Sequence, residues 1–303
     1  MADPAHSGRR ERDAARTPTR TDDTGVATEG PPAGGRDRSA LEKGMNYGIQ
    51  LAASGALTAL YRTDALANNL ANINTTGFKP DMVYTRQRDP ARVEDGLFDL
   101  PSSELLESLG AGAHMAPNAV DHSQGTLTQT GNSLDMAIDG EGFFVLRTLS
   151  DGGNSAIGYT RDGRFTLDDR SRLVSVTTGL PVLSRSGQPI VLKGEGPITV
   201  DADGTLRQGG DEVARLQIVD VKDRTRLTRV GDGMFTLSRD ALNQTTPATG
   251  QVRQGMLEGS AVNAVSAMMA VQSASRAVGT NIAMISYQDR MLEQAINTFA
   301  RIG

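Results

Sequence analysis

The chain has no cysteine and no tryptophan, and its 303 residues hold only 5 tyrosines, 7 phenylalanines and 3 histidines. Without cysteine there is no disulfide framework, zinc ribbon, iron–sulfur site or thiol nucleophile. The compartment stays open, because a cysteine-free chain suits the cytoplasm and an exported, disulfide-independent structure alike. No apolar run reaches the ~20 residues a membrane span requires. A formal net charge of -5 leaves no electrostatic footprint for nucleic acid. No Gly-x-Ser-x-Gly elbow, phosphate loop or dinucleotide fingerprint occurs. His114 and His122 lack the spacing of a zinc helix, and Asp201-Ala-Asp203-Gly204 opens like a calcium loop but lacks the later ligands and closing glutamate, so it reads as a hairpin turn. No catalytic, cofactor or metal site is expected. A wall-degrading β domain on a helical stalk, the enzymatic alternative, lacks the aromatics that stack on sugar rings.

What is present falls into zones. Residues 1–44 have no aromatic side chain, and Met1, Val26 and Leu41 are their only large aliphatics, among eight basic and eight acidic residues. Such a stretch buries too little apolar surface to offset its chain entropy, so a disordered tail is expected. Arg9-Arg10 is followed by no apolar stretch, which excludes a twin-arginine export signal. Glu42-Lys43-Gly44 requires purine-rich codons, the pattern of a ribosome-binding site, directly before Met45; translation is expected to begin there.

Residues 45–72 have helical spacing. Ile49, Ala53, Ala56, Leu60, Ala67 and Leu70 follow a four-three alternation broken only at Thr63. Asn72-Ile-Asn-Thr-Thr-Gly77 stops the helix, with Gly77 suited to a left-handed C-terminal position and Phe78 to folding back on the last turn. Residues 80–119, punctuated by four prolines, read as an extended connector with a short helix near Glu104–Leu109. Residues 120–256 read as an antiparallel β domain: Asp162-Gly163, Asp203-Gly204 and Asp232-Gly233 punctuate short runs as hairpin turns, and Val213–Val221 has the apolarity of a central strand. Residues 257–303 carry the strongest pattern. Ala264, Met268, Val271, Ser275, Val278, Ile282, Ile285, Asp289, Leu292, Ile296 and Phe299 alternate four-three without a break, and nine of the eleven are apolar, as in a coiled-coil seam.

The other faces of these helices are nearly uncharged. From Leu257 to Gly303 the charged residues are Glu258, Arg276, Asp289, Arg290, Glu293 and Arg301; from Met45 to Asn72 they are Arg62 and Asp64. Ala, Ser, Gly, Asn, Gln and Thr stand where a solvated helix carries Lys and Glu. Such helices suit enclosure by other helices. The expected fold class is α+β, with N- and C-terminal helices pairing as a coiled-coil layer and an antiparallel β-rich domain inserted between them. That architecture suits a polymer subunit repeating through heterologous contacts. Asn68 and Asn69, inside the helix, are expected to set register in the assembled layer, whereas Asn72 and Asn74 suit capping and turn chemistry. Arg276 is a candidate partner for Asp64 or for a neighbouring subunit.

Leu66-Ala-Asn-Asn-Leu-Ala-Asn-Ile-Asn-Thr-Thr-Gly-Phe-Lys79 resembles the N-terminal signature of the flagellar basal-body rod and hook proteins. Gly125-Thr-Leu-Thr-Gln-Thr-Gly-Asn-Ser-Leu-Asp-Met-Ala-Ile-Asp-Gly-Glu-Gly-Phe-Phe144 resembles that family's entry into the β domain, and Tyr159–Phe165 the hairpin that follows. Leu257-Glu-Gly-Ser-Ala-Val-Asn263, Arg276-Ala277, Asn281 and Asp289-Arg-Met-Leu292 resemble its C-terminal signature. The likeness runs from Met45 to the C-terminus. It implies a non-enzymatic subunit of the periplasmic rod, exported by the flagellar type III apparatus without a cleaved signal peptide, with partners among copies of itself and other axial proteins, and no nucleic-acid or membrane-inserted partner. The Leu257–Val265 run and Ser273-Ala-Ser-Arg-Ala277 lean towards the proximal-rod paralogue over the distal-rod one; a hook or hook-junction protein is the alternative.

If translation begins at Met45, mass spectrometry of the native protein finds Met45 or Asn46 at its N-terminus. Peptides from residues 1–44 would overturn that start.

Overall fold

Both segments with helical spacing are helices. Helix α1 runs Gly35–Ala71 and helix α2 runs Ala264–Phe299, one on either side of a β-rich region. The computed structural model describes residues 35–90, 93, 110, 112–149, 155–193, 195–238 and 244–299. Two compact units divide the chain, Met1–Lys43 and Gly44–Gly303. In the first, helix begins at Gly35, inside the stretch expected to be disordered. Ala40, Leu41, Glu42 and Lys43 are good helix formers, which accounts for helix there. Residues 1–34 and the short helix expected near Glu104–Leu109 lie outside the described residues.

The ends of the helices follow from local chemistry. After Ala71 the Ile73 N–H bonds the Leu70 carbonyl at 3.3 Å, a tightened final turn, and the Thr75 hydroxyl donates to Asn72 Oδ1 at 3.0 Å. Gly77 has the expected positive φ of 65° but lies too far beyond Ala71 to be the helix cap. Helix α2 starts at Ala264 because Asn263 caps it: its Oδ1 accepts from the Ser266 N–H at 3.0 Å. The two helices touch. A Cβ added to Gly48 would sit 2.5 Å from the Gln288 amide, and one added to Gly55 would sit 3.0 Å from Asn281 Oδ1.

The connector doubles back on itself. Strand Asp81–Met82 pairs with Ala119–Val120, and Thr85–Gln87 with Ala113–Met115, all antiparallel. The β domain is built around a six-stranded antiparallel sheet in the spatial order Leu227–Gly231, Met234–Leu237, Ser155–Thr160, Phe143–Leu149, Ile218–Val221, Thr245–Pro247. A three-stranded sheet of Ile198–Val200, Thr205–Gln208 and Asp211–Arg215 stands beside it in the sequence. The chain enters and leaves the domain through paired strands: Leu127–Gln129 with Met256–Glu258, and Met136–Asp139 with Gln251–Gln254.

Alternation along Phe143–Leu149 sends side chains to opposite faces and divides the core. Phe144 and Leu146 enter one cluster with Met136, Ile138, Phe165 and Leu173. Phe143 and Val145 enter the other with Tyr159, Leu183, Val221, Leu227 and Phe235. A strand buried on both faces reads as a continuous apolar run, as Phe143-Phe-Val-Leu146 does.

Two expected turns hold. Asp232 (φ 50°) and Gly233 (φ 70°) close the hairpin between Leu227–Gly231 and Met234–Leu237, and the Gly204 N–H closes a turn on Asp201. Asp162-Gly163 is not a hairpin. Ser155–Thr160 pairs with Phe143–Leu149 and Met234–Leu237, whereas Phe165–Leu167 pairs with Leu173–Ser175. The dipeptide is a corner where the chain leaves the sheet, held by the Asp162 carboxylate on Arg164 and Thr177. Val213–Val221 is likewise two strands, Asp211–Arg215 and Ile218–Val221, with the break at Leu216-Gln217.

The corner requires glycine for space: a Cβ at Gly163 would lie 1.5 Å from the Met136 carbonyl oxygen. Gly163→Ala is therefore expected to lower the urea midpoint more than Gly187→Ala, whose site is open and which costs only the left-handed penalty of about 1–2 kcal/mol. Equal midpoints for the two variants would contradict this corner.

Candidate functional site

Buried charge, next to helices that carry almost none, marks the junction between the helices and the β domain. Glu258, at the end of strand Met256–Glu258, is fully buried. Its Oε1 accepts from Lys79 Nζ at 2.5 Å and from the Gly125 N–H at 2.9 Å, and its Oε2 accepts from Arg161 Nη1 at 3.1 Å. Its backbone carbonyl accepts from the Gly77 N–H at 2.7 Å. Lys79 also donates to the Ser123 carbonyl at 2.6 Å, and Arg161 Nη2 to the Gly140 carbonyl at 2.9 Å. One carboxylate thus gathers the segment after α1, the connector's end, the strand-end turn at Arg161 and the approach to α2.

The electrostatics follow from this packing. Burial pulls the Lys79 pKa below the ordinary lysine range, and the Glu258 carboxylate opposes that fall. An isolated buried charge costs several kcal/mol, so each member depends on the others being present. Gly77 is held at this point by space as well as by φ: a Cβ would lie 2.5 Å from the Arg161 carbonyl carbon. Phe78, buried, lies under the Arg229 guanidinium at 4.8 Å, and Arg229 donates to the Lys79 carbonyl and pairs with Asp81 at 3.2 Å.

The residues expected to act in assembly separate into three groups. Asn69, Gly77 and Phe78 belong to this junction. Asn69 is buried, donating to the Asp81 carbonyl at 2.8 Å and accepting from the Asp81 N–H at 2.9 Å, so its amide pairs like a strand inside the subunit. Asn72 caps the end of α1, its Nδ2 on the Asn68 carbonyl at 2.9 Å. A second group, Ile49, Ala53, Ala56, Leu70, Val271, Val278, Ile285 and Leu292, is buried or half-buried. The third group is exposed: Leu60, Ala67, Asn68, Met268, Arg276, Ile282 and Ile296. Among the described residues no ion pair joins Arg276 to Asp64. Phe299 closes α2, its side chain lying outside the described residues.

The covered positions keep a four-three spacing but shift half of it by one residue. On α1 they include Ile49, Ala52, Ala56, Ala59, Thr63, Leu66 and Leu70, with Ala53 half-buried and Asn69 buried beside them; on α2 they include Ala267, Val271, Ala274, Val278, Asn281, Ile285, Gln288, Leu292 and Ala295. Alanine and asparagine (Ala59, Ala267, Asn281 and Ala295) occupy places expected for Leu60, Met268, Ile282 and Ile296, and α1 approaches α2 closely at Gly48 and Gly55. Large apolar side chains are left outside: Ile282 is 53% exposed, Met291 58%, Ile296 63% and, on α1, Leu57 58%.

Lys79, Arg161 and Glu258 were not singled out from sequence. Their signal was there: Lys79 is the first charge after Asp64, and Glu258 is the only one between Arg253 and Arg276. Asp201 and Asp203 pair with Arg207 at 3.0 Å and Arg215 at 3.3 Å. Among the described residues no group of His, Asp and Glu is placed to hold a metal, and no helix is long and apolar enough to cross a membrane.

Three family profiles match along the chain: "Flagella basal body rod protein" over residues 49–79, "Flagellar hook protein FlgE/F/G D1 domain" over 137–208, and "Flagellar basal body rod FlgEFG protein C-terminal" over 253–298. The chain is 34% identical over 263 residues to the flagellar basal-body rod protein FlgF of Caulobacter vibrioides, covering 86% of this chain and 100% of that one. It is 32% identical over 258 residues to FlgF of Escherichia coli, covering 81% and 95%. With the rod protein FlgG of Borreliella burgdorferi it shares 31% identity over 274 residues, covering 84% and 98%.

Glu258→Gln strands two buried cations and is expected to cost about 3–5 kcal/mol in urea unfolding. Lys79→Met should cost less, because Arg161 and Gly125 still hold the carboxylate, and a Lys79/Glu258 double-mutant cycle should show strong non-additivity. Additive losses would mean that the two side chains act separately.

Proposed function

We propose, on the premise that the chain belongs to the flagellar basal-body rod protein family, that its terminal helices build the rod by packing on those of neighbouring copies and other axial proteins. The protein is a structural subunit of the flagellar basal-body rod. The finer reading has α1 and α2 running antiparallel as a coiled-coil layer. Gly48 opposite Gln288 and Gly55 opposite Asn281 support it, because both steps are seven residues in opposite directions.

The observation that carries the assembly reading is the outer face of this helix pair. Met268, Ile282 and Ile296 lie on one flank of α2, Met284 and Met291 on the other, and Leu51, Leu57, Leu60 and Tyr61 are exposed on α1. Covering each such side chain is worth about 1.5–3 kcal/mol, and a contiguous exposed apolar surface marks an interaction site. Two flanks facing different ways suit heterologous contacts, which propagate as a helical polymer.

The role is torque-bearing rather than enzymatic, in the periplasmic drive shaft, after passage through the flagellar type III export apparatus without cleavage of a signal peptide. The Leu257–Val265 run and Ser273–Ala277 favour the proximal-rod paralogue. Asn68, exposed and without a side-chain hydrogen bond among the described residues, keeps its assignment to contacts between subunits.

Ile282→Asp and Ile296→Asp, on the outer flank, are expected to abolish motility and rod assembly while leaving the subunit's unfolding midpoint within about 0.5 kcal/mol of the parent. Val278→Asp, on the covered face, should lower that midpoint as well. Motile cells with normal basal bodies from the Ile282 and Ile296 variants would refute assembly through this face.

A further inference from the structure

A second feature of the junction is unused by the assembly reading. His122 follows strand Ala119–Val120, where the connector meets the six-stranded sheet. Its ring packs edge-on against Phe143 (centroids 5.7 Å apart) and Phe235 (5.4 Å). Both ring nitrogens are buried and neither has a hydrogen-bond partner among the described residues. An imidazole seated this way is held by its apolar edges alone, which is what a neutral ring tolerates and a charged one does not.

The surrounding charges come from every element packed on it. Lys79 lies on the segment after α1, Arg161 on the turn after Ser155–Thr160, and Arg224 on the short 3-10 turn Arg224–Arg226; all three oppose a further positive charge. Asp121, on the connector itself, is the anion that favours one. Its Oδ1 already accepts from the Ser123 N–H at 2.9 Å. The other nearby carboxylates are engaged too: Glu258 by Lys79 and Arg161, Asp220 by Arg224 at 3.0 Å, Glu141 by Arg224, and Asp81 by Arg229. Tyr159, buried in the same cluster, stays neutral because burial raises its pKa. A proton on His122 therefore meets three cations against the single anion Asp121, and among the described residues neither ring nitrogen has a hydrogen-bond partner.

We propose that His122 is an acid-release latch: on taking up a proton from solvent, its imidazole leaves the Phe143–Phe235 seat and unfastens the connector from the sheet. This holds whether or not the outer helix face makes the rod. Burial first, and then Arg224, Lys79 and Arg161, pull the imidazole from its ordinary 6.5 to about 4. The folded value is the lower one, so the latch is fully closed above about 6.5 and loosens as pH falls towards about 4.

The test is hydrogen exchange on the full chain, read in peptides spanning residues 113–124 at about pH 7.5 and about pH 5, corrected for intrinsic exchange. Opening should rise at least about tenfold in acid, should lose that rise in His122→Phe, and should keep it in His114→Phe, an exposed-histidine control. The same acid response in His122→Phe as in the parent, or none in the parent, overturns the latch. Should His122→Phe fail to fold, NMR titration of the parent's His122 ring decides: titration below about pH 5 supports the latch, and titration near the ordinary value of about 6.5 sinks it.

Discussion

A carboxylate with no access to water is tolerable only if cations and N–H groups surround it, and Glu258 draws its partners from three distant parts of the chain. Lys79 stands 179 positions away and Arg161 97. Neither the β domain nor the approach to α2 satisfies that charge alone. The junction therefore forms only when the segment after α1, the connector's end and the C-terminal strand meet. Replacing such a network with apolar residues of equal volume is often neutral in stability. What the ions add is placement: an apolar contact slides, whereas a carboxylate with three donors fixes where the segments lie.

The helix pair obeys a different constraint. Its covered face mixes Ile49, Leu66, Leu70, Val278, Ile285 and Leu292 with alanines and with Asn281 and Gln288 over glycines, while Leu57, Leu60, Ile282 and Ile296 are exposed. A subunit optimised for its own stability would cover these side chains too, since a buried isoleucine contributes more than an exposed one. Their exposure is what the proposed packing against neighbouring helices would use.

How much of this was legible in the sequence depended on which signal carried it. The two helices, the β region between them, and the turns at Asp203-Gly204 and Asp232-Gly233 follow from local periodicity and dihedral preference, and those are written in neighbouring residues. The one-residue shift in the covered spacing was not legible, because a hydrophobicity pattern assigns the largest side chains to the inside and cannot know that a second surface competes for them. Asp162-Gly163 misled for a related reason. The dipeptide suits a tight hairpin, yet Ser155–Thr160 already has partners on both edges and leaves no free edge for Phe165–Leu167. Asn69 resembled a register-setting amide until Asp81, twelve positions on, supplied both of its bonds.

The scarcity of charge on the helices and the concentration of charge at the junction are two sides of one arrangement. Helices that must be enclosed cannot carry Lys and Glu without a desolvation penalty. A β domain hung on them through a polypeptide connector alone would hinge freely at residues 80–122. Placing the fixed charges at the root of the domain, with Phe78, Phe143 and Phe235 interleaved between Arg161 and Arg229, stiffens that root. The same density of cations makes His122 the exception among them. Burial and those cations hold its imidazole neutral down to about 4, and in the proposed latch that is how a change in proton activity reaches the link between the helices and the domain they carry.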